Sequence, residues 1–367
     1  MPVPTINRYL VCLTLMIGLL ITSIILLSGC AASTPIPSPT PTVGPTAPPP
    51  TSTAASSVAQ SNGAVPSISN LRFATHQDLS DAQPTDFTFD AGLAAMYLSF
   101  DYANVPADAN FQLQLMRGNH VVFTQTLPWT GNSSGTLTQL ISDDPRALVP
   151  GRYIVNITVD RATAKGFVNI NETSPVPGAR LLVENFQDNL LGWGLQSDAN
   201  GTAEIKDGRL WLRTKSKRGV ASAGSPIQFR NFDLAVDTQF EMGTALAGST
   251  IDLHSAYWFT IYANGFFEVD SLGGQFKPLI PLQQSTAIKP FGETNRLRVI
   301  AKDDTLTFYI NDVLVGTLND VQSERGYIGF IVHDPAQSQL ASASFSNLTI
   351  TLPKETVGML PDSGRKS

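Results

Sequence analysis

The sequence predicts an all-β protein in which two β-sandwiches follow one another behind a disordered Pro/Thr/Ser linker. Three observations carry that expectation. Short runs of alternating apolar and polar residues recur along the chain, punctuated by Pro150-Gly151, Asp207-Gly208 and Asn264-Gly265 turns. The first folded stretch holds no run with the apolar period of an amphipathic helix. At 367 residues the chain also exceeds one ordinary domain, so a second core is expected.

The leader comes first. Arg8 is the only basic side chain ahead of an apolar run from Tyr9 to Leu27, and Ser28, Gly29 and Cys30 follow. A weakly positive start, an apolar centre and small residues before a cleavage point describe a secretory signal peptide over residues 1–29. Leu27-Ser28-Gly29-Cys30 resembles the bacterial lipobox. That resemblance implies a diacylglyceryl group on the Cys30 sulfur and cleavage just before it. The expected product is anchored in the cell membrane by lipid and faces the extracytoplasmic side, because each buried acyl methylene adds roughly 0.8 kcal/mol. An uncleaved transmembrane helix is the alternative, since the apolar run is nearly long enough to span a bilayer. The membrane is thus one expected partner.

Composition narrows the chemistry. The chain has 2 cysteines, Cys12 and Cys30, both at or before the proposed cleavage point, so the folded part has neither a disulfide nor a thiolate nucleophile. A formal charge of −6 leaves no electrostatic footprint for nucleic acid. His76, His120, His254 and His333 are scattered without ligand spacing, so no metal site is expected and no cofactor is called for. A structural calcium stays open.

From Cys30 to residue 66 the chain is dominated by Pro, Thr, Ser and Ala, as in Pro37-Ser38-Pro39-Thr40-Pro41-Thr42. Such a segment has too little apolar surface to offset the entropy of ordering it. Its proline density favours extended polyproline II spacers.

Residues 67–170 read as the first sandwich. Met96, Leu98 and Phe100 alternate, as do Phe111, Leu113 and Leu115; Val121 and Phe123 continue that face after the turn at Arg117-Gly118-Asn119-His120. Trp129, next to Pro128 in a Gly/Asn/Ser-rich loop, is an exposed-aromatic candidate. Pro150-Gly151-Arg152-Tyr153 then leads into a long strand to Val159. This stretch resembles the late strand of immunoglobulin-like domains, in which a tyrosine pins a corner. Residues 171–179, with Ser174-Pro175-Val176-Pro177-Gly178, are a short linker that keeps the two sandwiches close.

Residues 180–352 are again strand after strand, and residues 353–367 are a tail. Phe232, Leu234, Val236 and Thr238 face one way while Asp233 and Asp237 face the other. Hairpins are expected across Asp207-Gly208, Asn264-Gly265 and Asn311-Asp312, with Trp193 and Trp211 in the core beside turns. The succession Glu184-Asn185-Phe186, Gly192-Trp193, Asp207-Gly208-Arg209-Leu210, Tyr257-Trp258-Phe259-Thr260-Ile261, Asn295-Arg296-Leu297 and Gly326-Tyr327-Ile328-Gly329-Phe330 resembles the concanavalin A-like lectin/glucanase superfamily. More narrowly it is similar to laminin-G-like, 3-keto-disaccharide hydrolase-like domains of bacterial surface proteins. The resemblance implies a jelly-roll sandwich and a carbohydrate ligand. These motifs are mostly structural and speak to fold more than to reaction.

Glu268-Val269-Asp270 resembles part of the Glu-x-Asp motif of family-16 glycoside hydrolases. Retention needs a second carboxyl about 5 Å from the first across the sugar bond. Leu272 or Gly273 stands where that acid would be, so no catalytic residues are assigned. Instead, Trp258, Thr260, Tyr262, Glu268 and Asp270 share the face of the hairpin opposite Phe259, Ile261, Phe267 and Val269. An aromatic plate beside carboxylates suits a sugar ring, so Trp258, Tyr262, Glu268 and Asp270 are the candidate carbohydrate-binding residues. A covering loop over Trp258, drawn from Leu272 to Pro290, is the structural alternative. The expected function is a cell-surface lipoprotein binding a polysaccharide or other glycan. A glycan-active hydrolase and a protein-binding adhesion module, recruiting its partner along an open sheet edge, remain alternatives.

Overall fold

The computed structural model describes residues 64–254, 256–272, 277–319 and 325–354. The leader, Cys30 and the spacer up to residue 63 lie outside the described residues. Among the described residues there is no helix.

The first sandwich contains β1 (Ser67–Ala74), β2 (Gln83–Pro84), β3 (Thr88–Phe89), β4 (Met96–Ala103), β5 (Asn110–Arg117), β6 (His120–Pro128), β7 (Gly135–Ser142), β8 (Gly151–Val159) and β9 (Ala162–Ile170). One sheet has the order β2-β1-β4-β7 and the other β3-β9-β8-β5-β6. Alternation decides which side is buried: Met96, Leu98 and Phe100 on β4 meet Phe111, Leu113 and Leu115 on β5 in one apolar cluster. Phe100 and Phe111 stack across the two sheets at 6.0 Å. Tyr153 at the start of β8 donates its hydroxyl to the Val149 carbonyl at 2.7 Å and accepts from the Val149 amide at 3.0 Å. It pins the turn before its own strand.

Two expectations here need correction. The β5–β6 register slips after Leu115, so Val122 is buried while Val121 is 44% exposed. An extra residue in one strand shifts which side chains face the core, and alternation alone does not reveal the bulge. Trp129 is not an exposed plate either. It is buried edge-on against Tyr102 at 4.6 Å, with Nε1 donating to the Asn132 carbonyl.

The second sandwich begins with β10 (Arg180–Glu184), β11 (Gly194–Leu195), β12 (Gly201–Lys206), β13 (Arg209–Thr214), β14 (Val220–Phe229), β15 (Phe232–Met242) and β16 (Gly248–Leu253). It continues with β17 (Tyr257–Tyr262), β18 (Phe266–Ser271), β19 (Lys277–Gln284), β20 (Thr294–Lys302), β21 (Thr305–Ile310), β22 (Val313–Leu318), β23 (Gly326–His333) and β24 (Ser342–Thr351). An 8-stranded sheet has the order β12-β13-β24-β15-β20-β21-β22, with β10 also on β24. A 7-stranded sheet, β11-β14-β23-β16-β17-β18-β19, faces it. Phe330 from one sheet stacks on Phe345 from the other at 4.5 Å, and Phe259 meets Phe308 at 5.1 Å. Truncating such a ring to alanine typically costs about 3–5 kcal/mol.

On β15, Phe232, Leu234, Val236 and Thr238 are all buried, while Asp233 and Asp237 point outward to Arg298 and Arg296 of β20. Trp193 is also in the core, donating Nε1 to Glu184 at 2.9 Å and stacking on Phe330. Trp211 is not. Leu210 and Leu212 take the inward places on β13, so the residue between them faces outward and is only half-buried.

Both sandwiches belong to one compact unit. The β5–β6 turn reaches the Asn189–Gly192 turn: Arg117 donates to the Leu191 carbonyl and His120 Nε2 lies 2.9 Å from the Leu190 carbonyl. Gly192 is needed there, since its φ is +72° and a Cβ would press on the His120 ring. Arg146 bridges Asp144 and Asp188 at 2.8 and 3.0 Å, tying the loop before β8 to the same turn.

Candidate functional site

The site is built from the outward residues of the 7-stranded sheet. Core residues Ile251, Phe259, Ile261, Phe267, Val269, Phe330 and Val332 fix which side is in. Their neighbours along each strand must face out. Cross-strand register then sorts those neighbours into rows. Ser222 pairs with Ile331, Ile331 with Thr250, Thr250 with Thr260, and Thr260 with Glu268. A second row places Gly329 opposite Asp252, Asp252 opposite Trp258, and Trp258 opposite Asp270. A third places His333 opposite Gly248 and Gly248 opposite Tyr262.

All four residues expected to bind sugar therefore lie on one face, as the alternation implied. The face is not open, however. Trp258 is 5% exposed, Tyr262 6%, Glu268 3% and Asp270 1%. Of the stretch 272–290 named as a possible cover, Lys277–Gln284 forms β19, which pairs edge-on with β18 and extends the sheet. Gly273 lies outside the described residues.

Within the face, Tyr262 donates its hydroxyl to Glu268 Oε1 at 2.5 Å. The Thr250 and Thr260 hydroxyls sit 2.8 Å apart. The His333 ring lies 6.2 Å from Trp258 and 6.4 Å from Tyr262, both centroid to centroid. Gly248 makes that approach feasible, because a Cβ there would stand 3.0 Å from His333 Cε1 and 3.2 Å from Tyr262 Cε1. Asp252, His333 and Thr250 were absent from the sequence expectation, whereas Thr260 was already on that face. His333 could have been found by extending the Gly329–Ile331–His333 alternation; Asp252 needed the pairing of β16 with β17.

Chemically, the face offers the carboxylates of Asp252, Glu268 and Asp270, aromatic rings and hydroxyls, nearly all removed from bulk water. Burying such groups costs free energy that an apolar face would not incur. Carboxylates accept hydrogen bonds from hydroxyl groups, and indole and phenol rings stack on the C–H face of a sugar. Among the described residues no cluster of three His, Cys, Asp or Glu has the arrangement to hold a metal ion.

With this geometry in place, the comparisons with known proteins bear on the same half of the chain. Residues 182–351 match the family model of the 3-keto-alpha-glucoside-1,2-lyase-like domain. The matched segment contains every residue of the face just described. No curated protein matches. Among solved structures, a family-66 carbohydrate-binding module from Bacillus subtilis is 20% identical, covering 44% of this chain and 95% of its own, with a TM-score of 0.36. A Bacillus subtilis protein of unknown function with a galectin-like fold is 15% identical over 49% of this chain and 99% of its own, with a TM-score of 0.37. The endo-1,3-beta-glucanase catalytic domain from Thermotoga petrophila is 8% identical over 49% and 100%, with a TM-score of 0.38.

Proposed function

We propose that this protein is an exported lipoprotein, anchored through Cys30, whose second sandwich binds a saccharide on the outer face of its 7-stranded sheet. One observation carries the binding reading: Tyr262, Glu268, Trp258, Asp270 and His333 are gathered on a single face and buried there. Polar groups placed so expensively serve a ligand better than they serve stability. The match of residues 182–351 to a glucoside-directed family model supports a sugar as that ligand. The first sandwich is read as immunoglobulin-like, supported by the β1-β4-β7 and β9-β8-β5-β6 orders and the Tyr153 corner, and it holds the second sandwich on the spacer.

The test is a glycan array probed with the mature protein in detergent. Glu268→Gln and Asp270→Asn keep the shape of the face and remove its charge. Retention lost in both variants, with melting temperatures held within a few degrees, is the expected result. Retention by both variants equal to that of the unaltered protein would take the face out of the proposal. The anchor is tested separately: Cys30→Ala should move the protein from the detergent phase to the aqueous phase.

The family match also favours a second reading, in which the same face acts on the glycan it binds. Product analysis on 3-keto and ordinary disaccharides separates binding from turnover.

A further inference from the structure

The chain has 4 tryptophans, and three of them are closed off: Trp129, Trp193 and Trp258 are 6%, 3% and 5% exposed. Trp211 is the exception. It stands half-buried on the outer face of the 8-stranded sheet, with Nε1 donating to the Lys206 carbonyl at 3.2 Å. That bond ties down the edge of the indole, and the ring lines a cleft of about 480 Å³. Register gives the cleft its walls. Glu204 on β12 and Ser344 on β24 stand on either side of Trp211. The next row sets Thr202, Arg213, Ser342 and Met242 side by side on β12, β13, β24 and β15. Residues two apart on a strand share a face at a separation of roughly 6.6 Å, so Arg213 is one short step from the indole.

The charged groups here are open, unlike those buried on the opposite sheet. Arg209 is engaged, donating to Gln239 and Ser344 and lying 3.7 Å from Glu241. Arg213 and Glu204 are exposed, and among the described residues neither side chain has a hydrogen bond or an ion pair. The surroundings are basic. From Arg209 to Arg218 the chain carries Arg209, Arg213, Lys215, Lys217 and Arg218 and no acidic residue, against a formal charge of −6 for the whole chain. Lys215 donates to the Asp198 carbonyl at 2.9 Å. Lys217 and Arg218 lie in the turn that follows β13 at its Arg213 end, and among the described residues they too lack an acidic partner. Glu204 is the one carboxylate among the described residues that line the cleft.

An indole stacks on the C–H face of a sugar ring. A guanidinium takes a carboxylate through two parallel bonds. An extended polyanion would meet the negative charge of the rest of the chain, whereas a single acidic ring in this cleft meets the local positive charge. We propose that the Trp211 cleft is a second binding site, for saccharides that carry carboxylates: a uronic-acid ring stacks on Trp211, its carboxylate lies on Arg213, and its hydroxyls donate to Glu204. The cleft shares no residue with the outer face of the 7-stranded sheet, so the two sites stand or fall separately.

The experiment titrates the mature protein in detergent with oligogalacturonate and oligoglucuronate, and with the same oligomers after reduction of their carboxyls to alcohols. Tryptophan fluorescence reports occupancy of the cleft and calorimetry gives the affinity. One acidic series should bind at least about tenfold more tightly than its reduced form. Arg213→Gln, which gives up no side-chain contact among the described residues, should bring the acidic oligomer down to the affinity of the reduced one. Trp211→Ala should remove both binding and the fluorescence change, and a melting temperature near that of the unaltered protein shows that each variant folds. Equal binding of acidic and reduced oligomers, or acidic binding that survives Arg213→Gln and Trp211→Ala, overturns the cleft. Polyphosphate bound as tightly as the uronates, with Trp211→Ala making no difference, reduces the region to a basic patch and overturns the saccharide. No binding of any oligomer also overturns the proposal and leaves the reading of the 7-stranded sheet untouched.

Discussion

Tyr262 and Glu268 are joined by a 2.5 Å hydrogen bond between neighbouring strands, on the side of the sheet that faces away from the core. The carboxylate is buried, and the residue directly opposite it is Thr260, not the tyrosine. The tyrosine therefore reaches diagonally, and Gly248 leaves the room that its ring and that of His333 require.

Removing that hydroxyl deprives a buried acceptor of a donor. Tyr262→Phe should lower stability by about 1–3 kcal/mol, the usual cost of such a loss. Urea unfolding of the variant beside the unaltered protein checks this. An unchanged midpoint would mean that the carboxylate does not depend on the tyrosine.

Tyr153 anchors the corner before β8 through both the amide and the carbonyl of Val149. Tyr153→Phe leaves both groups buried without this partner and should also cost about 1–3 kcal/mol. Burial raises the Tyr153 hydroxyl above its ordinary value of 10.0. The folded state therefore favours the neutral phenol: that contribution is complete below about pH 10 and is lost as pH rises through the higher folded value. The stability gap between the unaltered protein and Tyr153→Phe should narrow in alkali, and a gap independent of pH above 10 would contradict the assignment.

Glu184 gives a second pH signature. Burial raises its carboxyl above the ordinary value of 4.5, while hydrogen bonds from Trp193 and the Phe186 amide act in the opposite direction. A raised folded value means that the stabilisation is whole below the unfolded value and is lost as pH rises through the folded one. Relative to Glu184→Gln, the unaltered protein should therefore lose stability as pH rises above 4.5. Trp193 fluorescence in the native state should titrate above the usual carboxylate range. A constant difference between the two proteins at all pH values would sink this prediction.

On the outer face of the other sheet, Arg298 grips Asp233 with two bonds, Nε to Oδ1 at 2.7 Å and Nη2 to Oδ2 at 2.6 Å. The arginine side chain is 38% exposed, so solvent screens the pair. A double-mutant cycle with Asp233→Asn and Arg298→Gln should give a coupling of about 0.2–1 kcal/mol that shrinks in high salt. A larger coupling insensitive to salt would show that the pair is effectively buried.

Much of the fold was legible because strand side chains alternate. Phe232, Leu234, Val236 and Thr238 could be assigned to the core, and Asp233 and Asp237 to the outside, from their spacing alone. The same rule, applied strictly, would have put Trp211 outside with Arg209 and Arg213. Its place beside a turn was the weaker guide. Alternation failed at Val121, where a bulge inserts a residue that no local pattern announces.

Sequence alone determined the two-sandwich β architecture and the sharing of one face by Trp258, Tyr262, Glu268 and Asp270, because a period of two is a local property of the strand. The tertiary structure decided that this face is buried and that Asp252 and His333 join it. Those facts depend on which distant strands pair, and in what register. Neither is written in any single strand.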